Sequence, residues 1–357
     1  MPGGRGRDGV TKTGGSHAAQ GGRRGRFLLL AAALVAAGSW LAWKHETEGL
    51  KLAAGAPAVK LVVPPGASAE AIGRKLAAEG LVRHPLVFRL LVRSRELGGQ
   101  LKAGEYALEG PLSLEGILAL LTRGDVVRNE ITIPEGRTLE EAAALLAARG
   151  IAPAGFLELA RDPGLIRDLD PEAADLEGYL FPDTYEIPLT ADPAAALARR
   201  MVQRFREVIG PEQPRIEAKE LTVRQVVILA SLVELETAAT VERPRIAAVF
   251  LNRLEKRMLL QTDPTIIYAL KRDGRWDGNI RRRDLEMDSP YNTYRHAGLP
   301  PGPIGSPGRE AIQAVLDPVE TRELYFVSRN DGTHKFSETL VEHNRAVDRY
   351  QRRRRGS

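Results

Sequence analysis

Residues 223–237 read V-R-Q-V-V-I-L-A-S-L-V-E-L-E-T and set two glutamates into an apolar segment. On a helix turning 100° per residue, Glu234 falls in the middle of an apolar stripe, and Glu236 points nearly the opposite way. That stripe consists of Val223, Val226, Val227, Ala230 and Val233. An ionised carboxylate on such a stripe is costly to bury. The pattern therefore indicates either a hidden partner for Glu234 or a proton held there for chemistry.

Length and composition allow about two domains with real cores. The chain has 357 residues, of which 43% are apolar, and this is enough for compact domains. The net charge of +5 comes from the first 26 residues, because the remainder holds 45 basic and 45 acidic residues. Nucleic-acid binding needs a basic surface, so the composition argues against it. The absence of cysteine excludes disulfides, thiolate metal sites and a cysteine nucleophile.

Residues 27–43 read FLLLAAALVAAGSWLAW, a stretch without a charge that follows three arginines. This length is at the short end for a bilayer-spanning helix, and a cleaved signal peptide is the competing interpretation. The terminal Trp40 and Trp43 and the lack of a clear A-x-A cleavage site favour an uncleaved anchor. We therefore expect residues 1–26 to be a disordered basic cytoplasmic tail and the chain from about residue 44 to lie outside the cytoplasm.

An internal repeat follows a linker at residues 44–58. Residues 60–82 and 130–152 match at a constant offset of 70. Each copy reads as a β-branched strand, a P-x-G turn and an amphipathic helix that ends at a glycine. Ser68 and Thr138 are the expected N-caps of the two helices. The sequence thus predicts a repeated strand-turn-helix unit.

Two loops and a hairpin lie downstream of the glutamates. The Gly/Pro run at residues 298–305, G-L-P-P-G-P-I-G, can form neither helix nor strand and is expected to be a shaped loop. It follows S-P-Y-N-T-Y at residues 289–294, and loops of this rigidity commonly line sites. Residues 323–327 and the segment after residue 331 predict a β-hairpin.

Six segments then match, in order, the signature segments of one family. They are A-S-L-V-E-L-E-T (230–237), V-F-L-N-R-L (249–254), L-Q-T-D-P-T-I-I-Y (260–268), S-P-Y-N-T-Y (289–294), G-L-P-P-G-P-I (298–304) and L-Y-F-V-S-R-N-D-G-T-H-K-F (324–336). Over roughly residues 60–347 the sequence resembles the YceG-like (MltG type) endolytic murein transglycosylases. One departure is Leu235, where family members more often have lysine.

Together, the residues and the resemblance predict an α+β architecture. An N-terminal transmembrane helix precedes a LysM-like small module at residues 59–128, in which L-K-A-G-E-Y also recurs in the family. A mainly helical, lysozyme-like catalytic region with a β-hairpin follows at residues 129–347, and residues 348–357 are a basic tail. The LysM-like module suggests glycan binding, and a spacer that only holds the site away from the membrane is an equal alternative.

The resemblance also implies a substrate and a location. Peptidoglycan glycan strands are the expected substrate, no cofactor is needed, and cell-wall synthases are the candidate protein partners. The expected location is the bacterial inner membrane, spanned once, with the N-terminus cytoplasmic and the catalytic region outside.

Glu234 is the catalytic acid/base that the resemblance implies, with Tyr291 and Asn292 at the sugar. A lytic transglycosylase manages with one carboxyl group, which protonates the leaving oxygen and then removes the proton from the C6 hydroxyl of muramic acid. That hydroxyl closes onto C1 as a 1,6-anhydro ring, and no water is consumed. The acid must be protonated near neutral pH, which apolar surroundings achieve by raising its pKa.

Other candidates have structural alternatives. Glu236 is the second choice as a site residue, and it could instead hold a turn or a basic partner. Candidates for sugar-hydroxyl contacts are Gln261, Asp263, Tyr294 and His334. None of the six histidines has a recognisable metal-binding spacing, so no metal is expected.

Two rival functions remain open. A muramidase that uses water would need a second carboxylate near the first, and Asp263 and Glu236 are the candidates for it. A non-catalytic peptidoglycan-binding scaffold could keep the same fold.

Overall fold

A computed structural model describes residues 32–41, 43–44, 58–127, 130–187 and 191–352. The chain divides into two compact units between residues 128 and 129, and each unit has a hydrophobic core of its own. The predicted tail at residues 1–26, nearly all of the predicted linker and residues 353–357 lie outside the described residues.

Of the predicted membrane segment, residues 32–41 and 43 are helical, as is the adjoining residue 44, and residues 27–31 and 42 lie outside the described residues. The side chains of residues 32–41 are exposed, and Trp43 packs against the core of the first unit. Within the described ranges, none of the helices has the length and apolar character needed to cross a membrane.

The first unit is a two-stranded antiparallel sheet with three helices. Its strands are β1 (Val59–Val63) and β2 (Gly104–Leu108), and its helices are α1 (Ala69–Ala78), α2 (Pro85–Ser94) and α3 (Leu114–Arg123). Leu61 pairs with Tyr106 across the sheet, and both are buried. The hydroxyl of Ser68 caps α1 by accepting from the amide of Ala71 at 3.2 Å, so the first repeat copy forms the predicted strand-turn-helix.

The second unit is mainly helical. Its strands are β3 (Glu130–Ile133), β4 (Asp183–Glu186), β5 (Tyr325–Ser328) and β6 (His334–Ser337). Its helices of six or more residues are α4 (Leu139–Ala148), α5 (Ala154–Ala160), α6 (Pro193–Ile209), α7 (Gln213–Ala218), α8 (Val223–Glu236), α9 (Arg243–Glu255), α10 (Asp263–Arg272), α11 (Arg309–Leu316) and α12 (Leu340–Val347). The second repeat copy is β3 and α4, and β5 pairs with β6 as the predicted hairpin. The predicted α+β class is therefore confirmed.

Helix α8 is the central helix of this unit. Its first turn is closed by a capping box, in which Thr222 and Gln225 bond each other's backbone amides. Every residue from 226 to 233 is buried, because α9, α10 and α11 all pack against the helix. The five residues of the predicted stripe are buried, and so are Ile228, Leu229, Ser231 and Leu232 on the other faces. A helix that is buried on all faces belongs to the core. Both glutamates lie in its last turn, just after this buried stretch.

Candidate active site

A cavity of about 440 Å³ lies at the C-terminal end of α8 and brings five predicted site residues together. They are Glu236, Gln261, Asp263, Tyr294 and His334. Its other walls include Tyr325, Phe326, Arg253 and His343. Aromatic rings with a few convergent polar groups are typical of a ligand site. We call this space the acid cavity.

Glu236 holds the buried carboxyl group of the acid cavity. The hydroxyl of Thr262 donates to its Oε2 at 2.6 Å. Burial raises the pKa of Glu236, and the charge of Asp263 raises it further, whereas the Thr262 hydrogen bond, His334 and Arg253 lower it. Since burial is the largest of these effects, the environment favours the protonated carboxylic acid.

Two loops are tied together at the edge of the acid cavity. The amide of Gln261 donates to the carbonyl of Thr293 at 3.1 Å, and the hydroxyl of Tyr294 donates to Asp263 Oδ1 at 2.5 Å. Gln261 has a φ of +48°, in the left-handed region that few non-glycine residues occupy. Strained backbone of this kind clusters at functional sites. These contacts set the Q-T-D and N-T-Y segments side by side.

His334 is oriented by Glu242, a residue that the sequence analysis missed. The imidazole Nδ1 lies 2.7 Å from Glu242 Oε2, and the backbone amide of His334 donates to Oε1 at 2.9 Å. A carboxylate at Nδ1 fixes the ring so that Nε2 is the nitrogen left for other partners. The ring also packs edge-on against Phe326, with centroids 5.5 Å apart. Glu242 and His334 are 92 residues apart in the chain, so no local sequence pattern links them.

Tyr291 and Asn292 are not among the residues that line the acid cavity. Asn292 is buried, and its amide nitrogen donates to the carbonyls of Leu285 and Met287. Its side-chain oxygen accepts from the amide of Tyr294 at 3.0 Å. The side chain of Asn292 therefore shapes the loop that carries Tyr294. The ring of Tyr291 packs 4.9 Å from that of Tyr268.

Glu234 lies in a separate ionic cluster, with a side chain only 5% exposed. Its Oε1 is 2.5 Å from Arg243 Nη2, and its Oε2 accepts from the amide of Gly308 at 2.9 Å. Arg243 also contacts Glu135 at 3.5 Å and Glu310 at 3.3 Å. Arg243 is the hidden partner that the buried position of Glu234 indicated, although the sequence did not identify it.

The pKa of Glu234 reflects opposing effects. The net result is a pKa raised to about 7: burial is the largest cause and the neighbouring Glu135 acts in the same direction, whereas the Gly308 amide and Arg243 lower it. The guanidinium at 2.5 Å favours the ionised form. Glu234 is thus a carboxyl group whose two oxygens are both held by protein donors.

The P-E-G turn of the second repeat copy closes over this ionic cluster. The amide of Gly136 donates to the carbonyl of Ser306 at 2.8 Å, and the amide of Ser306 donates to the carbonyl of Arg137 at 2.9 Å. A Cβ on Gly305 would lie 2.7 Å from the Gly136 carbonyl oxygen, and one on Gly308 would lie 1.8 Å from Glu135 Oε1. The Gly305 clash is with backbone and requires glycine there, whereas at Gly308 the flexible Glu135 side chain would have to move.

Comparison with known proteins identifies the family. The model of the YceG-like family matches residues 61–349. This chain belongs to the YceG-like family. The family predicted from the six segments is thus confirmed, and it covers both units.

Relatives from two bacterial species are named endolytic murein transglycosylases. An endolytic murein transglycosylase of Bacillus subtilis is 32% identical over 308 residues, which cover 82% of this chain and 84% of the relative. An endolytic murein transglycosylase of Streptococcus pneumoniae is 32% identical over 351 residues, covering 88% of this chain and 63% of the relative. A crystal structure of a yceG-like protein from Listeria monocytogenes aligns with a TM-score of 0.55 and 33% identity, covering 81% of this chain and 98% of that one.

No group of three or more His, Asp or Glu side chains suited to holding a metal ion occurs within the described part of this YceG-like chain. Carboxyl groups, which can donate and accept protons, lie at the end of α8. They are the carboxyl groups of Glu234 and Glu236, with Asp263 beside the second.

Proposed function

We propose that this protein is an endolytic murein transglycosylase. It cleaves the β-1,4 bond between N-acetylmuramic acid and N-acetylglucosamine within peptidoglycan strands and leaves 1,6-anhydro-muramic ends. The names of the curated relatives support this reaction. The observation that carries it is the acid cavity, where a buried carboxyl group lies among aromatic and polar side chains suited to a sugar. Its cellular role on this proposal is to end the elongation of nascent glycan strands.

We assign the acid/base to Glu236, although the resemblance had pointed to Glu234. Glu236 lines the acid cavity together with the sugar-contact candidates. Glu234 instead has one carboxyl oxygen on Arg243 and the other on the Gly308 amide. A group that must exchange a proton with substrate needs a free approach to one oxygen. On this assignment Glu234 positions the end of α8, and Glu236 does the chemistry.

The reaction needs one carboxyl group in two states. Protonated Glu236 gives its proton to the glycosidic oxygen as the bond from C1 to that oxygen breaks. The resulting Glu236 carboxylate then takes the proton of the C6 hydroxyl while O6 bonds to C1. Proton and bonds balance, and the enzyme returns to its starting state. The Asp263 carboxylate in the same cavity supplies negative charge next to the oxocarbenium-like centre.

The position of Asp263 is also compatible with a second reaction, the hydrolysis catalysed by a muramidase. A muramidase would use a second carboxylate to activate or replace water, and Asp263 and Glu236 share one cavity. The hydroxyl of Tyr294 donates a hydrogen bond to Asp263 Oδ1 at 2.5 Å. This hydrogen bond limits the ability of the Asp263 carboxylate to act as a base. This contact favours the transglycosylase.

The test is to incubate the purified full-length protein with murein sacculi and to identify the products by mass spectrometry. Anhydro-muramic ends are expected. Reducing ends would establish the muramidase instead, and no release of soluble fragments would establish the scaffold.

We further propose that residues 27–43 anchor the protein once in the bacterial inner membrane, with the N-terminus cytoplasmic. The uncharged segment after three arginines supports this orientation. Deletion of residues 1–43 is expected to move the protein from the membrane fraction to the soluble fraction of the cytoplasm, because the segment that takes the chain into and across the membrane is then missing. A truncated protein that stays with the membrane would contradict the anchor.

The first unit is proposed to be a LysM-like module that holds glycan. The L-K-A-G-E-Y segment at residues 101–106 supports this assignment. A protein lacking residues 58–127 is expected to sediment less with insoluble murein than the full chain does. If the two proteins sediment equally with murein, the first unit acts as a spacer rather than as a glycan-binding module.

A further inference from the structure

A second cavity, of about 290 Å³, is lined in part by residues that are next in sequence to residues of the acid cavity. Leu235 lines it, whereas its neighbour Glu236 lines the acid cavity. The same division occurs at the start of α10, where Pro264 lines the second cavity and Asp263 the acid cavity. Two pairs of adjacent residues therefore separate the two spaces. We call the second space the apolar cavity.

One face of α10 forms the floor of the apolar cavity. The lining residues on that helix are Pro264, Ile267, Tyr268 and Lys271, which recur at the spacing of a single helical stripe. Ile304 and Trp276 complete the walls, together with Gly136 and Thr138 of the P-E-G turn. The apolar cavity therefore has walls from the second repeat copy, the proline loop, α8 and α10.

The chemistry of the apolar cavity differs from that of the acid cavity. Leu235 is 38% exposed, and Ile267 and Trp276 are partly exposed. Lys271, the charged residue of the lining, lies 2.6 Å from Glu141 through Nζ and Oε1, so its charge is matched within the protein. An open space with an indole and aliphatic side chains suits the apolar face of a pyranose ring and the methyl group of an acetamido substituent.

We propose that the apolar cavity is a sugar subsite that holds an N-acetylhexosamine next to the bond that is cut. This inference rests on the proposed function, because its ligand is the strand being cleaved. Cutting within a strand requires glycan on both sides of the broken bond. The acid cavity receives one side, and the apolar cavity receives the other across Leu235.

The wall of the apolar cavity formed by the P-E-G turn is fixed in position. Gly136 has a φ of +74°, and a Cβ there would lie 3.0 Å from Leu235 Cδ2. The turn is tied to the proline loop by the two backbone hydrogen bonds of Gly136 and Ser306. A preformed wall reduces the ordering cost of binding.

Trp276 provides a direct binding signal. The chain has three tryptophans, so replacing Trp40 and Trp43 by Phe in the full-length protein leaves Trp276 as the sole indole. In an E236Q background, which prevents turnover, the β-1,4-linked hexamer of N-acetylglucosamine is the probe. A saturable change in Trp276 emission is expected. Binding of the hexamer by calorimetry without any change in Trp276 emission would overturn the subsite.

A kinetic test uses Ile267→Gln, with Val341→Gln as the matched control. Val341 is 60% exposed on α12 and lies outside both cavities. I267Q is expected to raise KM for glycan strands by about five- to tenfold, with kcat within about twofold, because it removes apolar contact from binding. V341Q should change neither. An I267Q protein of wild-type Tm and wild-type KM would refute the subsite.

The two tests separate the subsite from the proposed function. If the wild-type protein releases no fragment from sacculi, the proposed function fails whatever Trp276 reports. If fragments are released but the hexamer does not change Trp276 emission, the proposed function is supported and the proposed subsite is refuted.

Discussion

At the residue scale, the two glutamates of α8 differ in their partners. Burial raises the pKa of both. Glu234 is held by Arg243 and the Gly308 amide, whereas Glu236 accepts from Thr262 and lines the acid cavity. A carboxyl group with a raised pKa at a cavity is suited to acid catalysis, and one enclosed by donors is suited to holding structure.

Glu234 makes the stability of the protein depend on pH. Its pKa of about 7 in the folded protein lies above its ordinary value of 4.5. Because the folded state binds this proton more tightly, the stability that it contributes is full below about pH 4.5 and is lost as the pH rises through about 7. Urea unfolding at pH 5 and pH 8 should show a larger loss for the wild type than for Glu234→Gln. Equal losses in the two proteins would contradict the assignment.

Glu242 should act through His334. Glu242→Gln removes the charge that holds Nδ1 at 2.7 Å, so His334 loses its fixed orientation at the acid cavity. We expect kcat/KM on sacculi to fall by about tenfold for E242Q and for His334→Gln, since each loses one charge-assisted hydrogen bond. The double variant should lose little more than either single one. Additive losses would mean that the two side chains act independently.

At the element scale, Gly178 allows the proline loop to pack closely against α8. It has a φ of +82°, and a Cβ there would lie 2.5 Å from Pro303 Cβ and 2.9 Å from Val227 Cγ1. Gly150 is the matched control, since it has a φ of +74° and no atom within 4 Å of an added Cβ. Gly150→Ala should cost only backbone strain, about 1 kcal/mol of the free energy of unfolding. Gly178→Ala should cost about 3 kcal/mol, because a core clash is added. Similar Tm values for the two would contradict this.

Much of the local structure could be predicted from the sequence. The N-caps Ser68 and Thr138, the repeated strand-turn-helix and the β-hairpin each follow from residues close together in the chain. The partner of β3 could not be predicted, because it is β4, some 50 residues away. The burial of both faces of α8 depends on three helices whose packing no periodicity reveals. The pairs Glu234–Arg243 and Glu242–His334 were missed for the same reason.

At the scale of the whole molecule, each unit contains its own core. A fragment of residues 129–352 is therefore expected to unfold cooperatively and to release anhydro-muropeptides from sacculi on its own. Circular dichroism melting and mass spectrometry of the products check the two parts of this prediction. A fragment of residues 58–127 serves as the control and should fold without releasing product. A catalytic fragment that does not fold would show that its core is incomplete without the rest of the chain.

The central claim is that Glu236 donates the proton that breaks the glycan strand. The most direct measurement compares the initial rate of anhydro-muropeptide release from sacculi for Glu236→Gln and Glu234→Gln, with the Tm of each protein as the control for folding. We predict that E236Q loses the activity by about a thousandfold, the scale of a lost general acid, whereas E234Q retains most of it. A folded E236Q protein that still releases anhydro ends, beside an inactive and folded E234Q protein, would contradict the account.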